Sequence, residues 1–409
     1  MRDYFQLLRE NPGLTKLWLA QVISLTGDWF TAVVLAALVS DYSDGSGRAI
    51  SLYLLLRFIP PMLISPYSGV LVDRFNRKQI MFLSNLLRFF TVPFFLLATT
   101  PDRLWIIYVV TFIQFTLSAF FEPAQSAIIP ALVKPGKLVE ANTLATVTWS
   151  VMLAGGAIIG GVFASVFGSV AALTLDAFTF LIAAGFIMWI DYDPAAGLKH
   201  RKAQETEAEK AKNDEEEDTS FMEGIRYILR TPEMAAALFI KFGQSVGNID
   251  TLVIVFATQL FVLGDGKISL ALTYSAFGIG AVIGPMLTNR ANDGSVWQLR
   301  RLVIVGFIGT FICWFALGAA ASLWMVCLAL LLRGMGGSIN WTYSTILIQK
   351  TAPDRKLGRM FSMDWTGYYV ASMLSTLLHG AIIDAVGTEF INEVAFATGF
   401  VAFIPLVIW

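Results

Sequence analysis

The chain reads as a succession of long apolar runs broken by short polar stretches. The first four cover about Leu17 to Ser40, Ile50 to Val72, Gln79 to Thr99 and Leu104 to Phe121; a fifth follows Asn142, and a sixth runs from about Gly168 to Ile190. After a gap come Met234 to Val262, Leu270 to Leu287, Leu302 to Ala320, Leu323 to Leu347, a run ending near Ile383, and Val394 to Trp409. A helix rises ~1.5 Å per residue and bilayer hydrocarbon is ~30 Å thick, so runs of this length predict twelve transmembrane helices. The last run is short for a full crossing, which implies a shallow helix or a natural chain that continues past Trp409. The one break in rhythm, Asp191 to Thr219, is rich in Lys, Glu, Asp and Ala and predicts a solvated linker. The expected organisation is a six-helix half over residues 1–190, a linker over 191–220 and a second six-helix half over 221–409. Met1 to Lys16 and Phe221 to Arg230 read as interfacial lead-ins to the two halves.

Composition carries the same message. Of 409 residues, 56% are hydrophobic and only 14% charged, against roughly 25% charged in soluble domains. That much apolar surface needs lipid as its solvent, and only structures that satisfy their own backbone can cross it, so the fold class is all-α integral membrane. A net charge of −1 leaves no basic excess for nucleic acid. Cys313 and Cys327 lie in apolar runs, His200 and His379 have no partners at ligand spacing, and no phosphate-binding loop is present. No metal, cofactor or catalytic cluster is therefore expected, and the chain does not read as an enzyme. With alternate crossings, roughly 22 of the 29 Lys and Arg fall on one side and about three (Arg48, Arg103, Lys267) on the other. This bias predicts a multi-pass protein of the plasma membrane with both termini cytoplasmic.

One loop carries more than topology. Between the second and third runs stands Gly69-Val-Leu-Val-Asp-Arg-Phe-Asn-Arg-Lys78, a carboxylate followed by three cations that cannot sit in hydrocarbon. The pattern G-x-L-x-D-R-x-x-R-K, with Gly69, Leu71, Asp73, Arg74, Arg77 and Lys78, resembles the signature loop between helices 2 and 3 of the major facilitator superfamily of secondary transporters. The stretches FEPAQSAIIPALVKPGKLVEAN and FMEGIRYILRTPEM resemble the helix 4–5 connection and the approach to helix 7 in its macrolide-efflux and enterobactin-exporter branch. The resemblance implies two six-helix halves and a gate in which Asp73 meets the start of helix 11 near Met360, while Arg74 or Arg77 reaches Glu122. In the fifth run, Gly155, Gly156, Gly160 and Gly161 are spaced for close helix packing. Gly156 to Gly161 also resembles the core of the superfamily's antiporter motif, but Ala157 and Met152 stand where that motif has proline and glycine.

Charges inside the runs are the candidate chemistry. Asp28 lies ~18 Å beyond Lys16 by helical rise, and Arg88 ~15 Å beyond Lys78, so the two sit at similar depth. A carboxylate there costs roughly 3 kcal/mol or more to insert and should face a partner or water. Two readings stay open: a static bridge between helices 1 and 3, or a pair that exchanges a proton. Arg57 and Asp176 fall in the outer halves of their runs, and Asp176 and Asp250 are expected nearer the outer face and wetter than Asp28. In the superfamily, helices 1, 4, 7 and 10 line the cavity, which makes Asp28, Lys241, Asn248, Asp250 and Arg333 candidates to meet substrate or protons.

These observations imply a secondary-active transporter, a proton-coupled exporter of amphiphilic small molecules, acting as a monomer with membrane lipids, substrate and protons as its partners. A lipid or lysophospholipid translocator is the alternative, and a non-transporting receptor a remote one.

Overall fold

The computed structural model describes residues 2–134, 137–192, 226, 228, 230–289, 292, 293, 295–351 and 357–408; within these, the side chains of 2, 3, 65–74, 130, 138–140, 142, 143, 146, 289, 349, 357–359, 361, 362 and 408 are left undescribed. The first half consists of α1 (Arg2–Glu10), α2 (Pro12–Tyr42), α3 (Gly47–Arg74), α4 (Arg77–Thr91), α5 (Leu104–Leu132) and α6 (Leu138–Met188). The second consists of α7 (Pro232–Val246), α8 (Asp250–Val255), α9 (Lys267–Asn289), α10 (Val296–Gly318), α11 (Leu323–Thr351), α12 (Leu357–Val386) and α13 (Ile391–Ile408). No strand occurs among the described residues.

Two elements differ from simple crossings. The apolar part of α6 runs 42 residues, which at ~1.5 Å each is about twice the hydrocarbon thickness. Gly168, at φ 85° and ψ 164°, breaks it into two crossings. Added Cβ atoms at Gly156 and Gly160 would meet Trp29 and Phe30 of α2, while Asp176 and Thr179 press on Gly27 of the same turn. Gly160 and Asp176 would stand ~24 Å apart on a straight helix, so only a hairpin at Gly168 brings both to α2. Among the described residues, eleven apolar helices, one of them folded double, make the twelve crossings that the sequence predicts.

The seventh crossing, expected as one helix, stops at Val246 and resumes at Asp250. Arg333 Nη2 donates to the freed carbonyls of Gln244 at 3.2 Å and Gly247 at 3.5 Å. Ser375 donates to Val246 O at 2.7 Å and accepts from Asn248 N at 3.0 Å, so the interruption is paired by neighbouring helices rather than left bare. The first crossing starts five residues earlier than expected, at Pro12, because a proline fits the first helical turn and Asn11 ties that start to Leu7 O and Lys134 N. The last crossing begins at Thr388 rather than Val394, and its 20 residues to Val407 match the hydrocarbon.

The helix ends define two faces. One, the terminal face, carries α1, the α3–α4 turn and the end of α13; the other carries the α2–α3 turn, Gly168 and the α12–α13 turn. Three apolar cores follow. The largest joins both halves, packing Phe30, Val34, Tyr53 and Phe180 with Leu252, Phe256, Trp314 and Leu330 toward the opposite face. The other two lie toward the terminal face, one inside each half: Leu14, Met81, Ile128 and Ile187, and Met234, Val303, Tyr343 and Met360.

Hydrogen bonds follow the same division. At the opposite face Ser40 meets Thr258 at 2.6 Å, Ser51 donates to Thr376 O at 2.7 Å, and Asp384 of α12 accepts from Gly47 N at 2.6 Å. At the terminal face Arg77 donates to Ala127 O at 2.6 Å and Lys78 to Ile190 O at 2.8 Å, both within the first half. The halves are clasped at one face and separately cored at the other.

Candidate functional site

Between the halves, above the two separate cores, charged side chains gather at mid-depth. Asp28 is set there by Gly27. With no side chain at 27, Asp176 and Thr179 of α6 approach the α2 backbone, and the carboxylate of the next residue is left facing the space between the halves. Asp28 Oδ1 accepts from Arg88 Nη2 at 2.6 Å, and its side chain remains 37% accessible against 9% for Arg88. Arg88 is held by its other contacts as well: Nε donates to Gln114 Oε1 at 3.1 Å, and the guanidinium lies 4.0 Å from the Phe180 ring centroid. The guanidinium is thus fixed by protein and the carboxylate is the water-facing partner.

Asp176 lies in the same cluster but reverses the sequence expectation. It is 1% exposed, accepts from Thr31 Oγ1 at 2.5 Å, and interacts electrostatically with Asp28 and Arg88. Depth along α6 alone suggested a wet carboxylate; the missing side chain at Gly27 lets α2 cover it instead.

Arg57 of α3 and Asp250 of α8 face the space from opposite halves. Arg57 sits over Phe115 at 5.3 Å and Tyr53 at 5.9 Å, and its charge acts on both Asp28 and Asp250. Glu122 of α5 is exposed and feels Arg88 and Asp28. Aromatic rings bridge the halves beside these charges, Trp29 with Tyr274 at 5.9 Å and Phe58 with Tyr369 at 6.3 Å.

Two expected cavity residues are shut away. Lys241 is 3% exposed and forms a buried ion pair with Asp364, beneath Trp341 at 4.5 Å and Trp365 at 5.8 Å. Arg333 is 7% exposed and spends its guanidinium on the interrupted seventh crossing. Asn248 lies in that interruption, donating to Thr376 Oγ1 at 3.0 Å. Of the packing glycines, Gly156 and Gly160 meet α2 and Gly161 meets Ala271 of α9, whereas a Cβ at Gly155 would meet nothing within 4 Å.

Of the signature loop, Arg77 and Lys78 bind backbone carbonyls as above, Arg77 reaching Ala127 O rather than Glu122. The side chains of Gly69, Leu71, Asp73 and Arg74 lie outside the described residues.

The sequence reading missed Gln114, Asp364 and the aromatic wall of Trp341, Trp365, Tyr368 and Tyr369. The wall did leave a signal, since 365, 368 and 369 are spaced to share one helix face. Among the described residues no group of three or more His, Cys, Asp or Glu side chains is placed to hold a metal ion.

Two bundles of transmembrane helices, joined at one face around a polar mid-membrane space, have the build of a membrane transporter. A profile described as transmembrane secretion effector matches residues 8–407, and the chain belongs to this family, within the efflux branch of the major facilitator transporters. It is 23% identical to an uncharacterized MFS-type transporter of Bacillus subtilis (strain 168), over 94% of this chain and 89% of that one. It is 26% identical to a putative bacilysin exporter of Bacillus amyloliquefaciens, over 92% and 91%. With macrolide efflux protein A of Streptococcus pyogenes it shares 23% over 91% and 90%. Among solved structures it superposes on a nucleoside transporter with TM-score 0.73 at 11% identity, covering 97% of this chain and 100% of that one. A bacterial homologue of the iron transporter ferroportin in an inward-facing state gives TM-score 0.71 at 16% identity, covering 97% and 98%. The protein is a transporter of efflux type, not an enzyme.

Proposed function

We propose that this transporter is a proton-coupled exporter of amphiphilic small molecules in the plasma membrane. Its terminal face is cytoplasmic, in keeping with the distribution of Lys and Arg, so a cavity closed at the opposite face is inward-facing. The linker expected over 191–220 lies, but for residues 191 and 192, outside the described residues. The observation that carries the reading is the cluster of Asp28, Asp176 and Arg88. Two carboxylates and one guanidinium sum to −1 when all are ionised, so a single proton brings the cluster to neutrality in a medium that penalises net charge. Asp28 is the group water reaches, and it takes that proton. Its exchange alters how tightly Arg88 is held, and with it the packing of α2 on α4.

The aromatic wall and the inter-half ring pairs suit an amphiphile, because flat rings offer large apolar area at low entropic cost. Asp73 and Arg74 of the signature loop serve the closure of the cytoplasmic side, which loosens in the inward-facing state. Purified protein in liposomes, given an imposed proton gradient, tests the proposal with an amphiphilic dye and a lysophospholipid followed in parallel. Dye accumulation that follows the gradient is the expected result. Dye movement indifferent to the gradient contradicts coupling, and movement of the lysophospholipid alone favours a lipid translocator.

A further inference from the structure

Most intramembrane charges in this protein are already in contact with a partner. Arg88 holds Asp28, Lys241 holds Asp364, Asp176 accepts from Thr31, and Arg333 covers the carbonyls of the interrupted seventh crossing. Arg57 and Asp250 have only neutral contacts: the Tyr53 and Phe115 rings lie against Arg57, and Asn248 hydrogen-bonds the Asp250 side chain. Each acts electrostatically on the other, yet no ion pair within 4.0 Å joins them among the described residues. Arg57 stands ten residues from the start of α3 at Gly47, and Asp250 ten residues from Leu260, both ~15 Å from the opposite face by helical rise. Opposite charges therefore stand at one depth, one from each half, near enough to act on each other but more than 4.0 Å apart. Keeping two such groups apart in the membrane is costly unless water or a ligand occupies the gap.

We propose that Arg57 and Asp250 form a two-point site for a zwitterion. Arg57 takes a carboxylate or phosphate and Asp250 takes an ammonium. The surroundings fit both ends. The Phe115 and Tyr53 rings lie against the guanidinium and shield that side of it from water. Tyr274 and Tyr368, both electrostatically linked to Asp250, offer ring faces on which an ammonium and an apolar body can rest. Because the two charges belong to different halves, a ligand that bridges them binds one inter-half spacing better than another, which is the condition for substrate to shift the conformational balance. The proposal deepens the exporter reading by naming a substrate class, and it is independent of proton coupling.

The probes are phenylalanylalanine, its methyl ester (cation only), its N-acetyl derivative (anion only), lysophosphatidylethanolamine, and ethidium as a singly charged reference. Equilibrium binding is measured on the purified full-length protein, and exchange is measured in liposomes. At least one zwitterion is expected to bind about ten- to a hundred-fold tighter than its single-charge counterparts, the range for hydrogen bonds to charged groups. Arg57→Gln should erase the preference for dipeptide over methyl ester, and Asp250→Asn the preference over the N-acetyl form. The exchanged pair Arg57→Asp with Asp250→Arg should restore much of both and controls for folding.

The dipeptide showing this pattern makes the ligand a free zwitterion; lysophosphatidylethanolamine alone showing it makes the ligand a lipid headgroup, and either supports the site. Equal binding of all charge forms, or a preference untouched by the single variants, overturns it. Ethidium export that persists while zwitterions are not preferred sinks this site but leaves the exporter standing. Selective zwitterion binding with no transport of any probe does the reverse.

Discussion

Replacing Asp384 by Asn should unclasp the opposite face. Asp384 ends α12 in one half and caps α3 in the other: Oδ1 accepts from Gly47 N at 2.6 Å, Oδ2 accepts from Arg48 N at 3.3 Å, and both lie 3.2 Å from Ser46 Oγ. Arg48 Nε adds an ion pair at 3.5 Å, but its side chain is 74% exposed. That exposed pair contributes about 0–1 kcal/mol. A hydrogen bond to a charged group contributes about 1.5–3 kcal/mol, and a carboxylate at a helix start about 0.3–1 kcal/mol, part of which is the same interaction. Asn keeps one acceptor for Gly47 N but presents an NH₂ toward Arg48 N or Ser46. A net loss of about 2–3 kcal/mol, at 1.4 kcal/mol per tenfold, shifts the closed-to-open ratio by about 25- to 150-fold. The assay is a distance distribution between spin labels at Asp102 and Ala321, exposed positions on the same face in different halves. Asp384→Asn should lengthen that distance, whereas Arg48→Gln should barely change it. An unchanged distribution in Asp384→Asn, or an equal shift in Arg48→Gln, refutes the argument that the helix cap is what holds the face closed.

Three further outcomes are expected. Gly27→Ala places a methyl against Asp176 Oδ1 and Thr179 Oγ1 and should cost about 1–3 kcal/mol, read as a lowered melting temperature in detergent. An unchanged melting temperature would mean that α2 and α6 are not closely packed there. Asp364→Asn strands a buried lysine and should cost about 3–5 kcal/mol, while Lys241→Met with Asp364→Leu should lie closer to wild type; the reverse order would show the pair to be needed for more than mutual neutralisation. In the α8–α9 loop, burial pushes the Asp265 carboxyl up, but its hydrogen bond to Lys267 and that cation's charge outweigh this and hold it below the usual carboxylate range. A depressed carboxyl contributes stability above its unfolded value of ~4 and loses it as pH falls through the folded value, so the Ser165–Asp265 contact at 3.3 Å should not change between pH 5 and 8. A label pair across that contact that moves within this window would contradict the assignment.

The crossings were legible because hydrocarbon thickness sets a length and few other sequences hold so many apolar residues in a row. Intramembrane charges were legible for the related reason that they are too costly to occur by drift. What each charge faces was not legible. Asp28 and Asp176 differ in accessibility because Gly27 lets α6 close over one of them, a fact of packing between residues far apart in sequence. Asp364 as the partner of Lys241 was equally hidden, 123 positions away in sequence. The interruption at Gly247 falls in the polar stretch Gly243 to Asp250, but what makes it tolerable was not legible, because Arg333 and Ser375 on other helices supply the bonds. Hairpin closure at Gly168 was readable as two runs, although the chain continues helically on both sides of that residue.

Asp28→Asn tests most directly whether Asp28 carries the coupling proton, because the substitution removes charge while keeping shape. The variant is reconstituted beside wild type, and two quantities are measured with the same substrate: exchange at equal concentration, and accumulation under an imposed proton gradient. The variant should exchange substrate at near wild-type rates and fail to concentrate it. A variant that still accumulates substrate with the normal dependence on the gradient would show that the proton travels elsewhere.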